Sequence, residues 1–333
     1  MAKSYNPTEY MYSSARIRAL ENKIATKDRL RHMADAQDSD AVISQLSDFG
    51  FETVSGGEAL PRDRMLESVL ERGYSELAAM ECADAVGFMR YQYDANNIKA
   101  IIKCAARGVS VESMLSPLGS VSIDGANSAF KEKDYSAFPK NIAAAISEAE
   151  DAFAKTSNPQ QIDFIIDRAC FADMLDAARV SGVELALKLV VAKIDILNIM
   201  IALRVINMGL GNMAQALLGD VYIEGGSYQK DQIADAAKNG EEALAAFVMR
   251  GAYEPIALAI SDSASLGEIE RIADDLWFSI AKGAKYVSFG AEIAIGYIIA
   301  LEYEVKNVRI ILAGKDAGLS ADVIRERLRD CYA

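Results

Sequence analysis

Three short stretches of the chain place an acid three residues before an asparagine: Asp94 and Asn97, Asp195 and Asn198, Glu304 and Asn307. A step of three puts both side chains on one helical face. Carboxylate and amide oxygens are hard ligands, so a cation or a polar small ligand is the chemistry such a pair could serve. A hard cation, however, takes about six oxygen ligands, and each pair supplies only a few. The other reading is a buried polar contact, repeated because the packing around it repeats. The surroundings favour that reading. An apolar residue precedes each acid, and a β-branched aliphatic follows each asparagine (Ile98, Ile199, Val308). A glycine stands eleven residues beyond each asparagine, at Gly108, Gly209 and Gly318. The asparagines lie 101 and 109 positions apart, about a third of the chain, which points to internal triplication.

Other residues with chemical potential lack companions of the right type. His32 is the only histidine, so no His/Cys or His/carboxylate metal set can form around it, and no nucleophile motif accompanies it. The stretch from Gly209 to Ala214 fits a loose dinucleotide pattern. It follows a helix rather than a strand, so it cannot build the phosphate cradle. Gly314-Lys315 is followed by Asp316, not Ser or Thr, and no phosphate-binding P-loop exists. Asp274-Asp275 raises an all-α isoprenoid enzyme. The further acid one turn on is missing, because Trp277, Phe278 and Ser279 stand there. No catalytic, cofactor-binding or metal residue is therefore assigned.

The elements that position the three pairs read as helices. Apolar periodicity and stop signals predict a first helix over 13–33, then 38–48 with a stop at Gly50. Further helices are expected over 61–72, opened by Pro61, over 75–107, and over 110–115. A second unit repeats the order with helices from Pro139 to about 156, from Pro159 to a break at Gly182, and over 183–208. A third offers 254–264, 265–281, a long helix over 284–313, and a last one from Gly318 to about 332. Residues 118–123 match residues 218–223 at an offset of 100. No convincing β pattern is present. Leu185, Leu187, Leu189, Val190, Val191, Ile194, Ile196 and Leu197 nearly surround their helix, so it belongs at the centre of a bundle. The domains expected are 1–123, 124–225 and 226–333, each of four or five helices, in an all-α fold of three pseudo-repeated bundles.

Composition sets the outer bounds. With 333 residues, 51% hydrophobic, 25% charged and only 6 prolines, the chain reads as an ordinary globular protein rich in helix. A net charge of -13 argues against a phosphate-binding surface over the whole molecule, hence against nucleic acid as a partner. Cys82, Cys104, Cys170 and Cys331 form no C-x-x-C pair and read as reduced thiols of a cytosolic protein. The N-terminus has no apolar core of a signal peptide. The most apolar stretch, 286–301, contains Glu292 and is too short for a membrane span, which needs about 20 apolar residues.

The ordered set of motifs resembles a known family. Its members are the C subunits of the prokaryotic rotary V/A-type ATPases, relatives of the d subunit of the eukaryotic vacuolar ATPase. The resemblance rests on 10–21, Tyr93-Asp94-Ala95-Asn96-Asn97-Ile98-Lys99, 162–171, Ile194-Asp195-Ile196-Leu197-Asn198-Ile199, 304–311 and Gly318-Leu319-Ser320. Residues 51–62 and 119–134 match it least. The resemblance implies a funnel of three similar helical domains about a pseudo-threefold axis and no catalysis. It implies a socket on the cytoplasmic face of the membrane, peripheral, with no cofactor. Its narrow base would sit on the proteolipid rotor ring, and its cavity would receive the D and F subunits of the central shaft. A free-standing helical-repeat scaffold is the rival, though repeats of that kind are about 34–47 residues long.

Overall fold

The computed structural model describes residues 5–55, 58–209 and 213–332. It is a helical protein. In chain order the α-helices are α1 (Met11–Glu21), α2 (Lys27–Ala34), α3 (Ser39–Leu46), α4 (Arg62–Ala79), α5 (Ala83–Val86) and α6 (Tyr91–Arg107). Then come α7 (Ile123–Glu132), α8 (Lys140–Thr156), α9 (Pro159–Ser181), α10 (Glu184–Asn207), α11 (Met213–Val221) and α12 (Lys230–Lys238). The rest are α13 (Glu241–Val248), α14 (Glu254–Ser261), α15 (Leu266–Ala281), α16 (Ala291–Asp316) and α17 (Ala321–Arg327). Among the described residues the only strands are a two-residue hairpin, Val54–Ser55 against Glu58–Ala59.

Local chemistry fixes most helix ends. Asp38 Oδ1 accepts the N–H of Ala41 at 2.9 Å to open α3, and Asn158 accepts that of Gln160 at 3.0 Å to open α9, with Pro159 at the first helical position. Gly108, Gly209 and Gly318 take φ of 66°, 65° and 66°, a left-handed turn that costs a side-chain-bearing residue energy. Equal conformation at equal distance from each asparagine makes the threefold sequence repeat a backbone repeat as well.

The structure corrects several expected boundaries, each for a physical reason. The single helix over 13–33 is two helices. Residues 22–26 leave the helical ladder, and the Ala25 N–H is spent on Glu304 instead. Helix α4 runs unbroken through Gly73, which is there because α4 lies against α16: a β-carbon at Gly73 would stand 2.5 Å from Leu301 Cδ1. The long helix expected over 75–107 breaks at residues 80–82, where Glu81 has φ of 60°, and α6 starts only at Tyr91. The helix expected from 284 starts at Ala291. Its first amides are taken by the N-terminal segment, Gly290 N–H by Ser14 Oγ at 3.1 Å and Ala291 N–H by Tyr5 Oη at 2.9 Å. Residues 110–115 form only a 3-10 turn, Glu112–Met114. The last helix ends at Arg327 because the backbone of Arg329 turns to meet Asn307. Helices α7, α11, α12 and α13 add to the expected set; each is ten residues or shorter, too brief for a clear apolar period.

Two compact units result. One runs over residues 87–276; the other joins 5–86 to 277–332. In the first, α6 packs on α8 and α9, and α10 packs on α9, α11, α12 and α13. In the second, α16 is the centre, contacting α1, α2, α3, α4, α5 and α17. Helix α16 buries residues on every side, among them Ile293, Ile295, Ile298, Ile299 and Val308. Burying each such side chain contributes roughly 1.5–3 kcal/mol. Ion pairs rim the seams, as between Lys99 and Asp167 at 2.6 Å across α6 and α9.

Candidate functional site

The three acid and asparagine pairs lie on three long helices, α6, α10 and α16, and all six side chains are buried. Each asparagine does the same thing. Asn97 Nδ2 donates to the carbonyl of Ser116 at 2.8 Å, and the Ser116 N–H returns a bond to Oδ1 at 2.8 Å. Asn198 grips Ile223 in this way at 2.8 and 3.0 Å. Asn307 grips Arg329 at 3.2 and 2.7 Å. The amide satisfies both polar groups of one backbone residue, as a neighbouring strand would.

The acid, one helical turn earlier, takes a second grip further along. Asp94 accepts the N–H of Ser120 at 3.0 Å, the Ser120 hydroxyl, and the N–H of Val121 at 3.1 Å. Asp195 accepts the N–H of Ser227 at 2.7 Å, the Ser227 hydroxyl, the N–H of Tyr228 at 3.4 Å and the Tyr253 hydroxyl at 2.8 Å. Gly119 and Gly226 precede the two serines, and a β-carbon on either would strike the carboxylate it approaches. Glu304 accepts the N–H of Ala25 at 2.7 Å, from a residue 279 positions earlier in the chain.

The gripped segments correspond. Val121, Tyr228 and Ala25 each stand immediately before a helix N-cap, at Ser122, Gln229 and Thr26. Each central helix therefore fastens the start of a following group of helices: α6 holds the start of α7, α10 that of α12, and α16 that of α2. The matching element for the third helix comes from the first part of the sequence.

Electrostatics agree with a structural use. Burial raises the pKa of Asp94, opposed by the bonds from Ser120 and Val121. Burial pushes Tyr253 well up, and the neighbouring Asp195 charge adds to it, which keeps that phenol a donor. Burial raises Glu304 to about 7. What the arrangement can do chemically is hold backbone. Among the described residues no three His, Cys, Asp or Glu side chains gather as a metal site.

The remaining candidates stand apart from the joints. His32 is exposed on α2. Asp275 pairs with Arg271 at 3.0 Å on its own helix. Leu210, Gly211 and Asn212 of the dinucleotide-like stretch lie outside the described residues. Gly314 is inside α16, where it lets Ile324 of α17 approach. All four cysteines are buried, and none is in a disulfide. Sequence reasoning finds the acids and asparagines but not what they hold. The match of 118–123 with 218–223 gives the wrong register, since Leu218, Gly219 and Asp220 lie in α11 while Gly119-Ser120 corresponds to Gly226-Ser227. The repeated Gly-Ser dipeptide is the usable signal.

Fold and joints together define an all-helical repeat protein whose buried polar groups are structural fasteners. Comparison with known proteins gives the family. Residues 13–327 match the family described as ATP synthase (C/AC39) subunit, and the chain belongs to it. It is 23% identical to the C subunit of the V-type sodium ATPase of Enterococcus hirae, over 73% of this chain and 74% of that one. It is 22% identical to the C subunit of the A-type ATP synthase of Methanocaldococcus jannaschii, over 96% of this chain and 86% of that one. The corresponding A-type ATP synthase C subunit of Haloferax volcanii is 29% identical over 57% of this chain and 54% of its own. No helix among the described residues is long and apolar enough to cross a membrane.

Proposed function

We propose that the chain is a non-catalytic socket in the central stalk of a V/A-type rotary ATPase. It seats the D and F shaft subunits on the cytoplasmic loops of the membrane proteolipid rotor ring, as a peripheral protein of the cytoplasmic face. Its building blocks are the three sequence repeats, 1–123, 124–225 and 226–333, set as a funnel about a pseudo-threefold axis. The coupling it serves is ion transport driven by ATP hydrolysis or driving ATP synthesis.

The observation that carries this reading is the joint built three times over, in a chain that matches the subunit family from residue 13 to residue 327. A part that transmits torque needs stiffness. Each joint commits a buried amide and a buried acid to fixing a connecting segment that would otherwise be mobile. A buried hydrogen bond of this kind resists opening because its partners, left unpaired in an apolar surrounding, cost about 1–3 kcal/mol each. The relatives, C subunits of a V-type sodium ATPase and of an A-type ATP synthase, support the assignment to such a complex.

The test is titration of the purified chain with a purified D/F pair by calorimetry, alongside an ATPase assay of the chain alone. Binding of one D/F pair per chain and no hydrolysis are expected. Three equivalent sites per chain, or no binding in the presence of an intact ring, overturns the socket.

A further inference from the structure

Glu304 is the odd member of the three acids. Asp94 and Asp195 accept bonds from Ser120 and Val121, and from Ser227, Tyr228 and Tyr253, whereas Glu304 accepts one among the described residues, from Ala25. It is only 4% exposed. Its surroundings offer little else to a negative charge. Helix α4 brings Arg72, whose charge favours ionised Glu304, and also Glu76, bonded to Tyr297 of α16 at 3.1 Å. The segment after α17 brings Asp330, which is paired with Lys282 at 2.6 Å and lies within reach of the Lys27 charge at the start of α2. Tyr332 of that segment faces Glu21 and Arg18 of α1. Glu304 packs among Ile24, Leu30, Tyr303, Asn307, Asp330 and Cys331 with no room for a water molecule between them. One side-chain hydrogen bond thus ties the turn 22–26, whose Ile24 and Ala25 are buried, to a helix distant in sequence, and the turn covers Glu304.

We propose that the Glu304–Ala25 joint is a proton-operated clasp: protonated Glu304 holds the turn 22–26 against α16, and ionisation of Glu304 loosens it. The neutral carboxyl still accepts the Ala25 N–H through its carbonyl oxygen. The Ala25 N–H favours the ionised form, but the cost of burying a full charge with that single donor outweighs it. The carboxyl titrates at about 7 in the closed state, above its ordinary 4.5. The support that protonation gives the closed state is therefore complete below 4.5 and is lost as pH rises through 7.

Amide hydrogen exchange of the full chain between pH 5.5 and 8.5, corrected for the intrinsic base-catalysed rate, tests the clasp. Protection at Ala25 falls by about 30-fold over that range, since linkage gives about tenfold for each pH unit between the open and closed titrations and about 1.5 such units lie above pH 5.5. Ser116 and Ile223, whose amides are held by the uncharged Asn97 and Asn198, keep their protection. In Glu304→Gln, protection at Ala25 no longer depends on pH. A pH-independent Ala25 in the native chain, or the same fall in the Gln variant, overturns the proposal. Carbon-13 titration of the Glu304 carboxyl in the native chain is the second measurement, should the variant not fold. A midpoint near 7 that coincides with the loss of Ala25 protection supports the clasp; a midpoint below 5 overturns it.

Discussion

Gly226 lies against the carboxylate of Asp195 with no room for a β-carbon between them. The closeness lets the next two amides, of Ser227 and Tyr228, reach the same oxygen. Gly119 repeats the relationship with Asp94.

Alanine at Gly226 or Gly119 must displace a carboxylate that several donors hold. Each substitution is expected to cost about 1–3 kcal/mol, the usual penalty for overfilling a packed site. Urea denaturation checks it. Gly267→Ala in α15 is the control, since its β-carbon meets nothing within 4 Å. There alanine is neutral or stabilises by up to about 1 kcal/mol through helix propensity.

Asn198→Leu strands both the N–H and the carbonyl of Ile223 in a buried place. An unpaired buried group costs about 1–3 kcal/mol. Thermal unfolding should therefore shift down by several degrees, at roughly 2–4 °C per kcal/mol for a domain of about 150–250 residues. Asn97→Leu and Asn307→Leu are expected to behave alike. Unchanged thermal stability with loss of binding to a small ligand or metal would assign the asparagines a different job.

Global stability of Glu304→Gln should diverge from that of the native chain with pH. The folded pKa of Glu304, about 7, lies above its ordinary 4.5, so protonation favours the fold and that support is lost through pH 7. Relative to the Gln variant, the native chain is expected to weaken by up to about 3 kcal/mol between pH 5 and pH 8. Denaturant midpoints at the two pH values read this difference.

Far-ultraviolet circular dichroism of the purified chain should report about 65% helix or more, well above the roughly one third of an average globular protein. Substantial sheet would contradict the fold.

The helical class and the central helices were legible because apolar periodicity is a property of side chains. The glycine stops were legible because few residues tolerate positive φ. The acids and asparagines stood out through repetition. What they grip was not legible, since Ser116, Ile223, Arg329 and Ala25 offer only backbone groups, which every non-proline residue carries. Helices α11 to α13 are short and lie between stronger signals. The break at Asn22 and the late start of α16 were invisible for another reason. Both depend on hydrogen bonds to residues more than 270 positions away, Ala25 to Glu304 and Gly290 to Ser14.

The bond from Ala25 to Glu304 also sets an order of events on the ribosome. The joints of Asp94 and Asp195 draw on residues 26 to 58 positions further along, so they close soon after their helices are made. Helices α1 to α5 have no such option. Their central helix is α16, and 279 residues of chain separate Ala25 from its acceptor. At about 5–20 residues per second, the first-made segment waits roughly 15–55 s with its apolar faces uncovered. The oldest part of the nascent chain is then completed only together with the newest.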